Sequence, residues 1–335
     1  MYYADKLESL KDIFGSTEVY LEKDSLSVNG RIYPIVDDVI ILLEPSQYPS
    51  TLRKRIEGLN QKISAMPDFA EGIQFTFGEE WKKFPEIMPE YRQEFSLYFD
   101  LVDVSKLKDL RVCDLGCGIG RWSYFLKDSC RELVMVDFSE AIFVARQNLK
   151  ESNRTLFFMG DLKRLPFRDN FTEFLFCLGV LHHLPTNALA EIRKLKRFAV
   201  KLLIYLYYSL DNRPHFFSLL LFFVTALRRV ASKIRCPLFR SVFVGLTTVL
   251  VYYPLIGLGK LLNIFACGRY VPLYECYNAK GCKRIRQDVY DRFFTPIEQR
   301  FSRKEIMALK DTFGEIIVSE APPYWHFLCI DQKGQ

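Results

Sequence analysis

From Leu110 to Tyr208, short apolar runs alternate with longer stretches of helical pattern. The apolar runs read LRVCD, LVMVD, TLFFM, FLFCLGV and KLLIYLYY, and the helical stretches among them cover 119–128, 139–150 and 187–196. Alternation of this kind is typical of βαβ units, in which helices cover a mainly parallel sheet. The pattern therefore predicts an α/β fold for this part of the chain.

The alternation resumes near the end of the chain, after an interruption of some eighty residues. A helix is predicted near 302–313, followed by the strand GEIIVSE and the last strand WHFLCID. Two strands joined by a short turn pair antiparallel. We therefore expect one antiparallel strand in an otherwise parallel sheet, and we assign 101–335 to one domain with a large interruption.

The first 45 residues have the pattern of a small β unit. The stretch SLSVNGRIYPIVDDVIILL predicts a hairpin, because the pair Asn29-Gly30 tolerates the positive φ angles of a tight turn. Residues 46–100 are mainly helical in pattern and rich in charge. We expect them to form a helical linker or lid.

Residues 209–290 interrupt the α/β pattern and predict a helical insert. They contain the apolar stretches PHFFSLLLFFVTAL and SVFVGLTTVLVYYPLIGLG, of which the first has the length of a buried helix. The second runs for 19 residues without a charge, close to the roughly 20 that a membrane span requires. Proline and glycine interrupt it, so spanning is the weakest interpretation.

Charge separates this insert from the rest of the chain. It holds twelve Lys and Arg against three Asp and Glu, a net charge of +9, within a chain whose total is +6. A folded lid, a hairpin on an anionic membrane and a true span all stay open. Nucleic acid is a poor candidate partner, because the basic residues interleave with aliphatic runs and form no polar stripe.

Cysteine usage indicates the compartment. Nine cysteines are scattered from Cys113 onward with no C-x-x-C pair, which argues against a disulfide framework and for a reducing cytosol. No cysteine spacing fits a zinc site, and we expect no metal.

The N-terminus has no basic start followed by an apolar run, so no signal peptide is predicted. We expect a cytoplasmic protein, peripheral at the inner membrane face if the insert binds lipid.

The stretch VCDLGCGIG at 112–120 carries the clearest chemical signal. A predicted strand ends at Asp114, and Gly116, Gly118 and Gly120 follow at alternate positions. Glycines allow a tight turn and close approach of the backbone to a ligand. We expect a helix from about Ile119, with its N-terminal amides directed at a carboxylate. The spacing is G-x-G-x-G, and not the G-x-G-x-x-G of dinucleotide folds.

Two further acids follow the next two predicted strands. Asp137 lies about twenty residues after the glycines, where a carboxylate can accept from both hydroxyls of a ribose. Asp161 lies just past the third strand, where it can accept from an adenine amino group. Taken singly, each acid is better explained as a solvated loop residue or a helix cap. Three such sites in order, at the edge where open α/β sheets bind ligands, favour a nucleoside cofactor.

Four of these motifs together resemble those of class I S-adenosylmethionine (SAM)-dependent methyltransferases. They are DLGCGIGRWS, VDFSEA, GDLKRLPF and CLGVLHHLP. The resemblance implies a Rossmann-like seven-stranded sheet with its last strand antiparallel, and SAM as cofactor. It implies that Asp114 and Gly116 contact the methionine part, Asp137 the ribose, and Asp161 with Leu162 the adenine. The remaining cofactor-binding residues implied are Cys117, Gly118, Gly120, Phe138, Leu178 and Gly179, the last two lining the floor under the sulfonium.

Other segments resemble a bacterial methyltransferase subfamily whose members carry a hydrophobic insert. These are FTFGEEWKKF and DRFFTPIEQRFSRKEI. The N-terminal GRIYPIVDDVIILL resembles a degenerate zinc-ribbon-like domain of the Trm112 type, here without cysteines. The sequence departs from the family pattern at two places. A loop reads KLKRFAVKLL in place of the usual Lys-Pro-Gly-Gly turn, and Gln299-Arg300 stands where many relatives carry a histidine.

Methyl transfer from a sulfonium needs mainly positioning and desolvation, and a base only for a weakly acidic acceptor. His182 and His183 follow the fourth strand and are the candidate bases, while Trp81, Tyr91 and Arg121 are weaker candidates for lining the pocket. The sequence predicts SAM-dependent transfer to an unknown acceptor, large or lipid-linked. The alternatives are a nicotinamide-dependent oxidoreductase, and a non-catalytic protein of this fold that acts through its insert.

Overall fold

The computed structural model describes residues 1–56 and 71–331. The chain divides into two compact units, one of Met1–Tyr207 with Arg303–Gln335 and one of Tyr208–Ser302. The second unit contains the predicted insert and extends slightly beyond it at both ends.

The first unit contains a single sheet to which eleven strands of the described chain contribute. Their bounds are β1 Val19–Leu21, β2 Ser25–Val28, β3 Arg31–Val36, β4 Val39–Ile41, β5 Arg111–Leu115, β6 Glu132–Asp137, β7 Thr155–Met159, β8 Phe174–Leu178, β9 Lys201–Tyr205, β10 Glu315–Val318 and β11 His326–Ile330. Their spatial order is β1-β2-β3-β4-β7-β6-β5-β8-β9-β11-β10.

The seven strands from β7 to β10 in this order form the predicted fold. β5 pairs parallel with β6 and β8, and β8 pairs parallel with β9. β11 runs antiparallel to both neighbours, with Phe327 opposite Ile204 of β9 and Val318 of β10. The prediction of a parallel sheet with an antiparallel last strand is confirmed. Residues of β5 to β8 are buried on both faces, as in sheets covered by helices on both sides.

The N-terminal strands extend this sheet and do not form a unit of their own. The predicted hairpin is present, with Asn29 and Gly30 at φ 49° and 78° between β2 and β3. β4 then pairs parallel with β7, placing Ile40 opposite Phe158. The Tyr3 hydroxyl also bonds the main chain of β7 at Phe157. The zinc-ribbon resemblance of this segment stays a prediction, as does the expected absence of metal.

Short helices complete the first unit. They are α1 Leu7–Phe14, α2 Ser50–Arg55, α3 Glu71–Lys83, α4 Glu90–Tyr98, α5 Ala141–Asn148, α6 Ala188–Leu195 and, after the second unit, Arg303–Met307. The helices predicted at 139–150, 187–196 and 302–313 are thus present, and Asn187 caps the second of them through Ala190 N–H at 3.0 Å.

The helix predicted over 119–128 is wrong. Residues 116–131 form turns around a short 3₁₀ segment at Ser123–Phe125. The side chains explain this, because Ser123 is fixed to Asp114 and the buried Trp122 ring lies between Tyr91 and Tyr98. These tertiary contacts hold the segment in tight turns, so the helix expected from about Ile119 does not form there.

The second unit is helical. It contains α7 His215–Ala231, α8 Pro237–Thr247, α9 Tyr253–Asn263, α10 Tyr274–Tyr277 and α11 Cys282–Phe294, so the helix after it in the first unit is α12. A π-helical turn at Thr248–Tyr252 joins α8 to α9. The continuous helix Pro237–Asn263, of 27 residues with an 18-residue window of mean hydropathy 1.8, is the one helix of the described chain long and apolar enough to cross a membrane. α7 is not the buried helix that its length suggested, since most of its apolar side chains are exposed.

Candidate cofactor site

The glycine loop leaves β5 at its carboxyl end and is shaped by positive φ angles. Gly116 has φ 84°, and a Cβ built on it would lie 2.4 Å from Cγ2 of Val180. No other residue fits this position without moving the β8 side of the site. The main-chain amides of Gly116 and Cys117 both donate to the carbonyl of Val136, at 2.7 and 3.1 Å. The loop is therefore fixed to the neighbouring strand β6.

Asp137 ends β6 and ties this loop to the next one. Its Oδ2 accepts the N–H of Gly118 at 2.8 Å, and its Oδ1 accepts the N–H and hydroxyl of Ser139 at 2.8 and 2.7 Å. Donors from both loops therefore engage both oxygens of this carboxylate. Burial raises the pKa of Asp137, and the hydrogen bonds from Ser139 and Gly118 oppose that rise.

Asp114 lies one strand away at the end of β5 and is 1% exposed. Its Oδ2 accepts the hydroxyl of Ser123 at 2.6 Å. Burial raises the pKa of Asp114 to about 7, while the Ser123 hydrogen bond lowers it and the nearby charge of Asp137 raises it further. A cation that entered here would stabilise the carboxylate, so the position suits the ammonium of an amino-acid moiety.

Asp161 follows β7 and caps a short turn. Its Oδ1 accepts the N–H of Lys163 at 3.0 Å at the start of the 3₁₀ segment Leu162–Arg164. Gly160 donates to the carbonyl of Asp137 at 2.9 Å, which brings the second and third loops together. The cap that the sequence offered as the simpler explanation is therefore present. A role toward adenine remains a prediction.

Gly179, after β8, borders open space. It has φ 81°, and no atom lies within 4 Å of a Cβ built on it, in contrast to Gly116. A side chain is excluded here by backbone conformation, yet nothing of the described chain fills the volume. The role of Gly179 as a floor under the sulfonium stays a prediction.

Helix α3 covers the glycine loop. The indole of Trp81 lies against Gly118, whose built Cβ would be 3.2 Å from its Nε1. Gln74 Nε2 donates to the carbonyl of Phe138 at 2.7 Å. The guanidinium of Arg121 stacks over Trp81, Tyr91 and Trp122, 4.6 to 5.7 Å from the ring centroids. The three weaker lining candidates thus share one cluster, whose cation–π contacts fix the covering helices to the loop.

Sequence reasoning missed Gln74, Ser123, Ser139 and Val180. Ser123 and Ser139 stand inside the motifs DLGCGIGRWS and VDFSEA, three residues after Gly120 and two after Asp137, and this spacing could have marked them as partners of the acids. Gln74 and Val180 gave no signal, because their roles depend on which elements pack together.

His182 and His183 lie in the 3₁₀ turn Leu181–His183 after β8, and both are buried. The N–H of Tyr207 donates to Nδ1 of His182 at 3.3 Å, and the two rings stack with centroids 3.9 Å apart. The lone pair of His182 is therefore engaged by the main chain, which leaves Nε2 as its donor. The His183 ring lies 5.3 Å from that of Phe77. The role of either histidine as a base stays a prediction.

The sheet order, the glycine loop and the acids at successive strand ends are those of a class I SAM-dependent methyltransferase domain. Residues 112–198 match the family model described as a methyltransferase domain. The match confirms the prediction of a methyltransferase over these residues, and it does not favour the oxidoreductase alternative.

Two curated relatives match parts of this chain. A tRNA U34 carboxymethyltransferase of Trichodesmium erythraeum is 27% identical over 127 residues, 35% of this chain and 39% of the relative. The uncharacterised protein MJ0638 of Methanocaldococcus jannaschii is 30% identical over 139 residues, 38% of this chain and 58% of the relative. The chain therefore spans less than two thirds of the length of either.

Solved structures of methyltransferases are also similar to this chain. Magnesium protoporphyrin IX methyltransferase from Synechocystis PCC 6803, with bound S-adenosylhomocysteine (SAH), is 17% identical, with 77% of this chain and 95% of that chain covered and a TM-score of 0.43. A SAM-dependent methyltransferase from Aquifex aeolicus is 22% identical, with 38% and 71% covered and a TM-score of 0.33.

Proposed function

We propose that this protein transfers a methyl group from SAM to an acceptor that is large or lipid-linked. One observation carries the proposal. Asp114, Asp137 and Asp161 end three adjacent parallel strands beside a glycine loop, within the segment that matches the methyltransferase model. Ligands of open α/β sheets bind at this edge.

Different residues would bind the different parts of the cofactor. Asp114 would pair with the amino-acid ammonium, Asp137 would accept a ribose hydroxyl through Oδ2, and Asp161 with Leu162 would face the adenine. Bound SAM supplies a methyl group already activated on a sulfonium, so the protein needs to orient the acceptor and exclude water. Trp81, which covers Gly118, serves the exclusion of water.

The acceptor side centres on the turn that follows β8. His183 would take a proton from a hydroxyl or another weakly acidic acceptor. His182 would orient the same acceptor by donating a hydrogen bond from Nε2. The chain also carries a basic helical unit with exposed apolar side chains. A small polar acceptor needs no such surface, which supports an acceptor that is large or lipid-linked.

A transfer assay on separated host fractions tests the proposal. The protein is incubated with methyl-labelled SAM and, separately, with lipid, glycan, RNA and protein fractions. RNA is included because one matched relative is named for tRNA. The proposal expects label in the lipid or glycan fraction with wild type, and much less label with Asp137→Asn when SAM is below its saturating concentration. Transfer to RNA alone would contradict the proposed acceptor and make RNA the acceptor class. SAM binding without transfer to any fraction would favour the non-catalytic alternative.

A further inference from the structure

Helix α7 is apolar on nearly every side. Phe217, Leu221 and Val224 are half-buried, and they continue in a stripe to the buried Arg228 and Ala231. The opposite side is 44 to 66% exposed and consists of Phe216, Leu219, Leu220, Phe222, Phe223, Leu227 and Val230. A helix that is apolar all round belongs in a protein core or in contact with lipid.

The continuous helix formed by α8, the π turn and α9 repeats this division. Its buried stripe advances by about four residues at each step through Arg240, Val244, Thr248, Tyr252 and Ile256. Its other side is again apolar and exposed, with Leu238, Val242, Leu246, Val249, Leu250, Leu258 and Leu261, and the turn that follows it exposes Ile264 and Phe265. These residues and the exposed ones of α7 are called the outer face. Apolar surface of this extent marks an interaction site.

Exposed basic side chains lie at both ends of the outer face. Arg229, Lys233 and Arg235 are exposed around the five-residue link from α7 to α8, and Lys260 and Arg269 at the end of α9. Within residues 209–290, twelve basic residues face three acidic ones. Apolar side chains between exposed Lys and Arg match the two layers of an anionic bilayer surface, with its acyl chains and negative headgroups.

The charges of helix α11 indicate whether the α8–α9 helix lies in the membrane surface or crosses the bilayer. It packs against α7, α8 and the π turn, with Phe243 of α8 lying 5.1 Å from Phe293 between ring centroids. α11 also carries charged side chains, at Lys283, Arg284, Arg286, Asp288, Asp291 and Arg292. A membrane-crossing α8–α9 helix would draw these charges into the hydrocarbon, which is costly.

We infer that the outer face lies in the plane of an anionic membrane surface, with α11 on its water side. This goes beyond the proposed methyl transfer and does not depend on it. The free cysteines favour a cytosolic location, so the protein would meet the membrane at its inner face.

Two sets of variants test the surface by co-sedimentation with phosphatidylcholine vesicles, with and without phosphatidylglycerol. Arg229, Lys233 and Arg235 changed to Gln should weaken partition onto the anionic vesicles roughly a hundredfold, at about one kcal/mol per charge, and added salt should do the same to wild type. Arg228 is left intact, because it is buried and paired with Glu298. The matched control changes the exposed Lys108, Lys150 and Arg154 of the first unit and should leave partition unchanged.

The apolar variant changes Phe222, Leu250, Ile264 and Phe265 to Gln and should abolish vesicle binding. Its control changes Tyr20 and Ile32, which are 62% and 68% exposed in the first unit. Absence of wild-type binding at low salt would overturn the inference. So would a self-associated wild type that becomes monomeric in the apolar variant, since a second copy would then cover the outer face.

Labelling of the exposed cysteines distinguishes a helix that lies in the membrane surface from one that crosses the bilayer. Cys236 precedes α8 and Cys267 follows α9, and the cysteines of the first unit are buried. With Cys276 and Cys282 changed to Ser, protein bound to sealed vesicles is treated with a membrane-impermeant maleimide. Labelling of both cysteines, with release of the protein by alkaline wash, is the expected result. Protection of one cysteine with retention after the wash would mean a true span and overturn the inference.

Discussion

The Oδ2 atom of Asp137 accepts the main-chain N–H of Gly118 at 2.8 Å. The carboxylate predicted to bind ribose therefore also holds the glycine loop. If the prediction for ribose holds, binding of the cofactor and order in the loop both depend on this one side chain. This dual role changes what a substitution at Asp137 should do.

Asp137→Asn should weaken SAM affinity by about 1.5–3 kcal/mol, the range for hydrogen bonds to a charged group. It should also lower the melting temperature, because the loop loses a charged acceptor. Titration calorimetry and thermal unfolding measure the two effects. Ser139→Ala is the matched control, since it removes one donor to the carboxylate and keeps the charge. Equal loss of affinity in both variants would show that loop order alone is responsible.

Asp114 should make both stability and binding depend on pH. Its pKa is about 7 in the folded protein against 3.8 for an ordinary Asp, so the folded state favours the protonated form. Its contribution to the free energy of unfolding is fully present below about pH 4 and is lost as the pH rises toward 7, by about 4 kcal/mol.

The carboxylate is the form that pairs with an ammonium, so SAM affinity should rise over the same pH range. Unfolding and calorimetry between pH 4 and 8 follow both quantities, and Asp114→Asn should flatten both profiles. An unchanged profile in that variant would remove Asp114 as their source.

Features of the fold that depend only on residues close together in sequence could be predicted, and features that depend on tertiary packing could not. The buried strands β5 to β9 are short apolar runs bounded by turns, and the Asn29-Gly30 turn needs only its own residues, so both were predicted. The parallel pairing of β4 with β7 was not predicted, because strands so distant in sequence leave no periodic signal. Residues 119–128 have a helical pattern, but Ser123 and Trp122 are held by tertiary contacts that override it. Exposure of α7 likewise depends on which helices pack against it.

Two glycines distinguish a ligand effect from a fold effect. Gly116→Ala should destabilise the protein, since its Cβ meets Val180, and adding Val180→Ala should recover part of that loss. Gly179→Ala should cost only the roughly 1–2 kcal/mol of a left-handed backbone while weakening SAM binding strongly, because its Cβ enters open space. Thermal unfolding with calorimetry separates them. A Gly179→Ala protein that binds SAM normally would show that the floor lies elsewhere.

His183 should matter more than His182 for proton transfer. On the fraction that accepts label, His183→Gln should lower kcat roughly 10²–10⁴-fold, the usual contribution of a general base. His182→Gln should have the smaller effect on kcat, because its Nδ1 is held by Tyr207 N–H. The dependence of kcat on pH checks the assignment. If the acidic limb of that profile persists in His183→Gln, the base is another group.

Direct titration of the purified full chain with SAM, SAH and NADH tests the central claim most simply. The sheet edge formed by Asp114, Asp137 and Gly179 predicts saturable micromolar binding of SAM and SAH, and none of NADH. Binding of NADH in place of SAM, or of neither ligand by protein shown to be folded, would contradict the account.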